Sequence, residues 1–262
     1  LPIADASAAS AALPLVLSPI SLKNYAGKCG FEAPAWLAQA KRGGRIGAQR
    51  ANEMLSFMDA EKRPYVHLLD GGLSDNLALR GIIEGSGLQG SFEKLLVMAR
   101  VKNVRKLVIL AVNAETSPDV LEFRSDHVPV ISKAMSSMID IPINRYSFDT
   151  TTLISMGVEK WKAELKSKPR GPDSPWAQEA EIYFINASLS EIEDPDERVS
   201  LMKIPTTLYL NDEQIDRLVM AASKLIRGSK EFQRLMKDIR APTDGSVTAL
   251  QNQTLDKGQT GH

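Results

Sequence analysis

Asp70 stands between an apolar run, Tyr65-Val66-His67-Leu68-Leu69, and two glycines, Gly71 and Gly72, with Ser74, Asp75 and a helical pattern close behind. A single carboxylate in such a place can act as a general base if a hydroxyl is brought within hydrogen-bond reach. In open α/β sheets ligands bind just beyond the carboxyl ends of the strands, so position favours Asp70. Gly71 and Gly72 can take positive φ and carry no side chain, which lets another element bearing a reactive group approach closely. The plainer reading of Asp-Gly-Gly is a strand-to-helix turn with a self-bonding carboxylate.

The remaining polar residues offer less. Ser7, Ser10 and Ser74 lack the glycines of a Gly-x-Ser-x-Gly elbow and read as packing or capping residues. Residues 85 to 90, "GSGLQG", fit G-x-G-x-x-G but follow a helix-like segment where a dinucleotide site needs a strand, so they read as a loop. His67 and Asp70 are three apart in a strand and point to opposite faces, which argues against a metal site with Asp75 and for a packed histidine. No metal or other cofactor is expected. Cys29 is the only cysteine, which excludes an internal disulfide and a thiolate cluster, and it reads as an unremarkable thiol. Trp161 lies among Lys160, Lys162, Lys166, Lys168 and Arg170. A tryptophan flanked by cations is one way to sit in a lipid headgroup layer, giving a possible peripheral membrane contact, whereas the plainer reading is a solvated helix end.

These residues have to be positioned by ordinary elements. The chain has 262 residues, 43% hydrophobic and 24% charged, with 32 basic and 32 acidic side chains. No overall field draws it to nucleic acid, which is not expected as a partner. No apolar run reaches the length of a membrane span. The chain opens on Leu1 with no initiator methionine or signal sequence and enters a helical pattern at once, which predicts a sequence that continues upstream; compartment stays open. "IADASAASAAL" predicts a helix of small residues ended by Pro14, and residues 24 to 64 read as an excursion around Trp36 with two short helical patterns. "YVHLLD" predicts a strand covered on both sides, with Ser74 or Asp75 capping the helix after it. Residues 105 to 115 predict a strand in mid-sheet, and "EIYFINASL" another. Helices are predicted over 127–140 and 149–166, from Asn211 as a capping box with Gln214 to Gly228, and through "KEFQRLMKDI". The polar tail 241–262 has the composition of a disordered segment. Strands alternating with helices predict an α/β domain with a mostly parallel sheet over residues 1–240.

"HLLDGGLSDNLALR" resembles the Asp-Gly-Gly block of the patatin-like phospholipases. "ASAASAALPLVLSPISLKNYAG" is similar to that family's small-residue helix and Pro-rich segment. "KLVILAVNAET" resembles its late core strand, and "IPTTLYLNDEQIDRLVMAASKLI" its closing strand and helix, so the resemblance covers about residues 1 to 240 in order. It implies a three-layer α/β/α domain that hydrolyses acyl esters of lipids with a serine–aspartate dyad. Asp70 would be the base, and Gly71 and Gly72 would shape its turn. The family's nucleophile elbow and Gly-rich oxyanion loop lie N-terminal to the part matched, and neither motif occurs between Leu1 and His262. The chain therefore reads as the C-terminal portion of such a domain, inactive alone. The alternatives are a non-catalytic lipid-binding or scaffold remnant of that fold, and a hydrolase that completes its site with another chain.

Overall fold

The computed structural model describes residues 2–14, 17–28, 30–42, 45–116, 126, 128, 130–167, 169–207 and 209–240, apart from the side chains of Ile46, Ser132, Lys133 and Ser136. Cys29, Lys168 and the tail 241–262 lie outside the described residues. In chain order the elements are α1 (Ile3–Ser10), β1 (Ile20–Lys23), α2 (Ala35–Arg42), α3 (Arg45–Ser56), β2 (Tyr65–Leu68), α4 (Gly72–Asp75), α5 (Arg80–Gln89), α6 (Phe92–Met98), β3 (Val104–Asn113), α7 (Ile131–Ser167), β4 (Trp176–Ser188), a 3₁₀ turn (Leu189–Glu191), α8 (Pro195–Met202), α9 (Asp212–Gly228) and α10 (Lys230–Arg240). The class is mixed α/β.

The aliphatic runs of β3 and β4 pair in parallel, Leu107 opposite Ile182 and Asn113 opposite Ser188. Parallel neighbours need a long crossover, and α7 supplies it. The sequence predicts two helices here, whereas α7 is one helix of 37 residues with Pro142 inside it. Proline removes one donor, and the helix continues where Met138 and Ile141 are exposed and water can satisfy the freed carbonyl. Alternate residues of the pair form the main core: Ile109, Ala111 and Ile182 pack on Ile154, Val158 and Trp161 of α7, with Phe92 and Leu79 closing one side. Trp161 is 6% exposed and stacks on Phe92 at 4.2 Å. Its indole is part of the core. Lys162, its neighbour, pairs with Glu159 and Glu231.

The opposite face is unevenly covered. On β4, Tyr183 and Ile185 are buried under Leu235 and Phe232 of α10. Directly across the pair, Val108, Leu110 and Val112 of β3 are 43%, 48% and 52% exposed. β3 has no second strand beside it among the described residues, so the mid-sheet expectation is not met: the run is aliphatic on both sides, but nothing described here lies over one of them.

β2 also departs from expectation. It pairs antiparallel with β1 in a two-stranded ribbon, Ile20 opposite Leu68 and Lys23 opposite Tyr65, and Tyr65, His67 and Leu69 are exposed. Four residues paired only to another four-residue strand have no layer to cover both their sides. The sheet is therefore a parallel pair plus an antiparallel ribbon rather than one mostly parallel sheet. Residues 85–90 are the end of α5 and its left-handed stop at Gly90, φ 83°, where a loop was expected. No helix of the described residues is long and apolar enough to cross a membrane.

Candidate active site

Two backbone donors hang the Asp-Gly-Gly turn from the end of α1. The Asp70 N–H donates to the Ala12 carbonyl at 3.1 Å and the Gly71 N–H to the Ser10 carbonyl at 3.2 Å. The last carbonyls of a helix have no partner within it, and the small residues around them, with Ala9 and Ala12 buried, let the turn come close. Sequence reading missed this link; its signal is the alanine-rich helix stopping just before Pro14.

The half-buried Asp70 carboxylate is held by one oxygen. Oδ1 accepts the Gly72 N–H at 2.7 Å, while Oδ2 has no partner among the described residues. A carboxylate oriented by its own turn, with lone pairs left over, can accept a proton from a hydroxyl brought to it.

The glycines act through space rather than conformation. Gly71 has φ −64°, and the positive-φ glycines are Gly27, Gly30 and Gly90. A Cβ on Gly72 would lie 2.9 Å from Asp70 Oδ1 and 3.0 Å from Asn76 Oδ1, closer than real Cβ contacts come. On Gly71 it would meet Ser10 Oγ at 3.5 Å, an ordinary contact. Only the second glycine is demanded by the carboxylate's position.

The residues around the turn have structural duties. Asp75 caps α5, its two oxygens accepting the Leu79 and Arg80 N–H groups at 3.2 and 2.8 Å. Of the two expected caps it is the one used; Ser74 Oγ instead reaches back to the Gly71 carbonyl at 3.5 Å. Arg80 Nε donates to Thr150 Oγ1 of α7 at 3.0 Å and its guanidinium lies over Tyr146, tying the turn to the main core. His67 is exposed and shares a 2.7 Å hydrogen bond with Ser21 across the ribbon, rather than packing in a core. No group of three His, Cys, Asp or Glu side chains among the described residues is arranged to hold a metal ion. Of the serines, the fold brings Ser10 to the turn; it is exposed, in the last turn of α1, without flanking glycines.

Comparison with family models, with curated proteins and with solved structures finds no match for this chain.

Proposed function

We propose that this chain is the base-bearing portion of a patatin-like lipid acyl hydrolase with a three-layer α/β/α domain. In this reading Asp70 takes the proton from a serine hydroxyl as it attacks the ester carbonyl and returns it to the leaving alcohol. The bond that forms is serine oxygen to acyl carbon, the bond that breaks is acyl carbon to alkoxy oxygen, and water then repeats the sequence to free the acid. The serine and the oxyanion donors come from a segment outside residues 1–262, because the chain has no elbow or Gly-rich loop of its own.

The observation that carries the reading is the Asp70 carboxylate itself, fixed through Oδ1 and open at Oδ2 among the described residues, on a turn where a Cβ at Gly72 would press on that same Oδ1. The bare side of β3 supports it independently. Parallel strands are covered on both faces, and Val108, Leu110 and Val112, on an edge without a neighbouring strand among the described residues, are what a strand and a helical layer from such a segment would bury.

The test expresses the chain together with the protein sequence encoded upstream of Leu1 and measures turnover of short-chain p-nitrophenyl esters. Asp70→Asn keeps the shape and removes the base, so kcat falls by about 10²- to 10⁴-fold. Turnover near that of the unsubstituted protein contradicts the assignment.

A further inference from the structure

At the carboxyl ends of β3 and β4 a cavity of about 450 Å³, whose lining does not include Asp70, opens between the strands and α7. Its floor is Asn113, the last residue of β3, which is 6% exposed and whose side-chain amide has no hydrogen-bond partner among the described residues. The amide faces the cavity. Beside it Asn186 Nδ2 donates to Glu191 Oε1 at 2.6 Å, while Asn186 Oδ1 is fully buried without a partner among the described residues, and a buried amide atom without a partner calls for an explanation.

The lining is rich in acceptors. Glu115 Oε1 takes the Ser188 hydroxyl at 2.5 Å and the Ser190 N–H at 3.1 Å; Glu115 Oε2 and the second oxygen of Glu191 have no partner among the described residues. Thr151 and Thr152 donate their hydroxyls to carbonyls of their own helix and can only accept from a ligand. Among the described residues no lysine, arginine or histidine lines the cavity, and Phe148 and Phe184 supply apolar wall. Two carboxylates, the Asn113 amide oxygen and hydroxyls already used as donors ask for a ligand that is cationic and carries its own N–H groups. An anion is repelled, and a quaternary ammonium has nothing to donate.

We propose that this cavity binds a small primary ammonium group, as in an amino alcohol, with Glu115 and Glu191 opposing its charge and Asn113 Oδ1 accepting one of its N–H bonds. The group can come from a free amine or from the headgroup of an aminophospholipid. The site stands apart from the Asp70 assignment, and binding reads it without any hydrolysis.

Titration of the isotope-labelled 262-residue chain with ethanolamine, choline and ethylene glycol, followed by NMR, is the test. Sedimentation with vesicles of phosphatidylethanolamine and phosphatidylcholine, against phosphatidylcholine alone, is the second arm. Ethanolamine is expected to shift resonances of Asn113, Glu115, Asn186 and Glu191 and to bind at least about tenfold more tightly than choline or ethylene glycol. Preferential sedimentation with the phosphatidylethanolamine vesicles identifies a headgroup as a source; ethanolamine binding without it identifies a free amine. Glu191→Gln, at an exposed position that leaves the fold alone, weakens binding about tenfold. Asn113→Leu abolishes binding and raises Tm, because a polar group kept unpaired for a ligand is replaced by a packed one. Equal affinity for choline, displacement of ethanolamine by Mg²⁺ or Ca²⁺, or no response at the cavity in either arm overturns the proposal.

Discussion

The β3–α7–β4 slab and the β1–β2 ribbon are built by different means. In the slab, burial dominates: Ile154, Ile182 and Tyr183 have no exposed surface, and α10 covers Tyr183 and Ile185 on the far side of β4. In the ribbon no strand residue is fully buried, and hydrogen bonds do the positioning. The Asn24 amide donates to the Phe57 and Arg63 carbonyls, Ser21 meets His67, and α1 holds the turn through two backbone bonds. The difference teaches where each job is placed. The elements with most buried apolar surface carry stability, and the Asp70 carboxylate sits on the thinly packed region, where local opening costs least and approach is easiest.

Substitutions can break this contrast at measurable points. The largest effect is expected in the slab: Ile182→Ala leaves a hole between the strands and α7 and destabilises by about 3–4 kcal/mol in urea unfolding. Arg234→Ala comes next. Its guanidinium bonds Glu181, Glu231 and the Ile182 carbonyl and lies over the Tyr183 ring, and its loss destabilises by about 2 kcal/mol.

Acid probes the same α10 seam. The hydrogen bond from the Tyr183 hydroxyl holds the Asp238 carboxyl below its usual range. Burial pushes Glu231 upward, but Arg234 and Lys162 outweigh it and leave it lowered. A depressed carboxylate contributes stability that is complete above its unfolded pKa and is lost as pH falls through the folded one. Unfolding monitored against pH should therefore show α10 weakening below about pH 4.

In the ribbon, the two glycines should separate. Gly72→Ala drives a Cβ against the Asp70 carboxylate and costs about 1 kcal/mol together with the carboxylate's position, whereas Gly71→Ala, with ordinary contact to Ser10, stays within a few tenths. The smallest effect belongs to the slab's own bare side. Leu110→Ala changes the stability of this chain by less than about 0.5 kcal/mol, and the same substitution in the longer protein costs about 2 kcal/mol if an added layer covers β3.

What the sequence revealed follows the range of each signal. Asn211 and Gln214 form the capping box expected of them, at 2.8 and 3.1 Å, because both halves lie within four residues. β3, β4, α9 and α10 are similarly local, each a run of apolar residues with one period. β2 was misread because its covering depends on a partner distant in sequence: "YVHLLD" has the composition of a buried strand, yet pairs only with β1. Trp161 carries the same lesson, since the ring it stacks on, Phe92, is distant in sequence. Asp70 was legible from its place after an apolar run, but the role of Gly72 was not, because a missing Cβ shows its purpose only beside the oxygen it would strike. Asn113 is in sequence only a polar residue near a strand end; its place in the cavity wall shows only in the fold.

The most direct test of the central claim is fluorophosphonate labelling of the longer protein, with the modified peptide identified by mass spectrometry, with and without Asp70→Asn. The account predicts one labelled serine, outside residues 1–262, and labelling slowed at least about a hundredfold by the substitution. A label on Ser10 or any other serine of this chain, or an unchanged rate in Asp70→Asn, would contradict it.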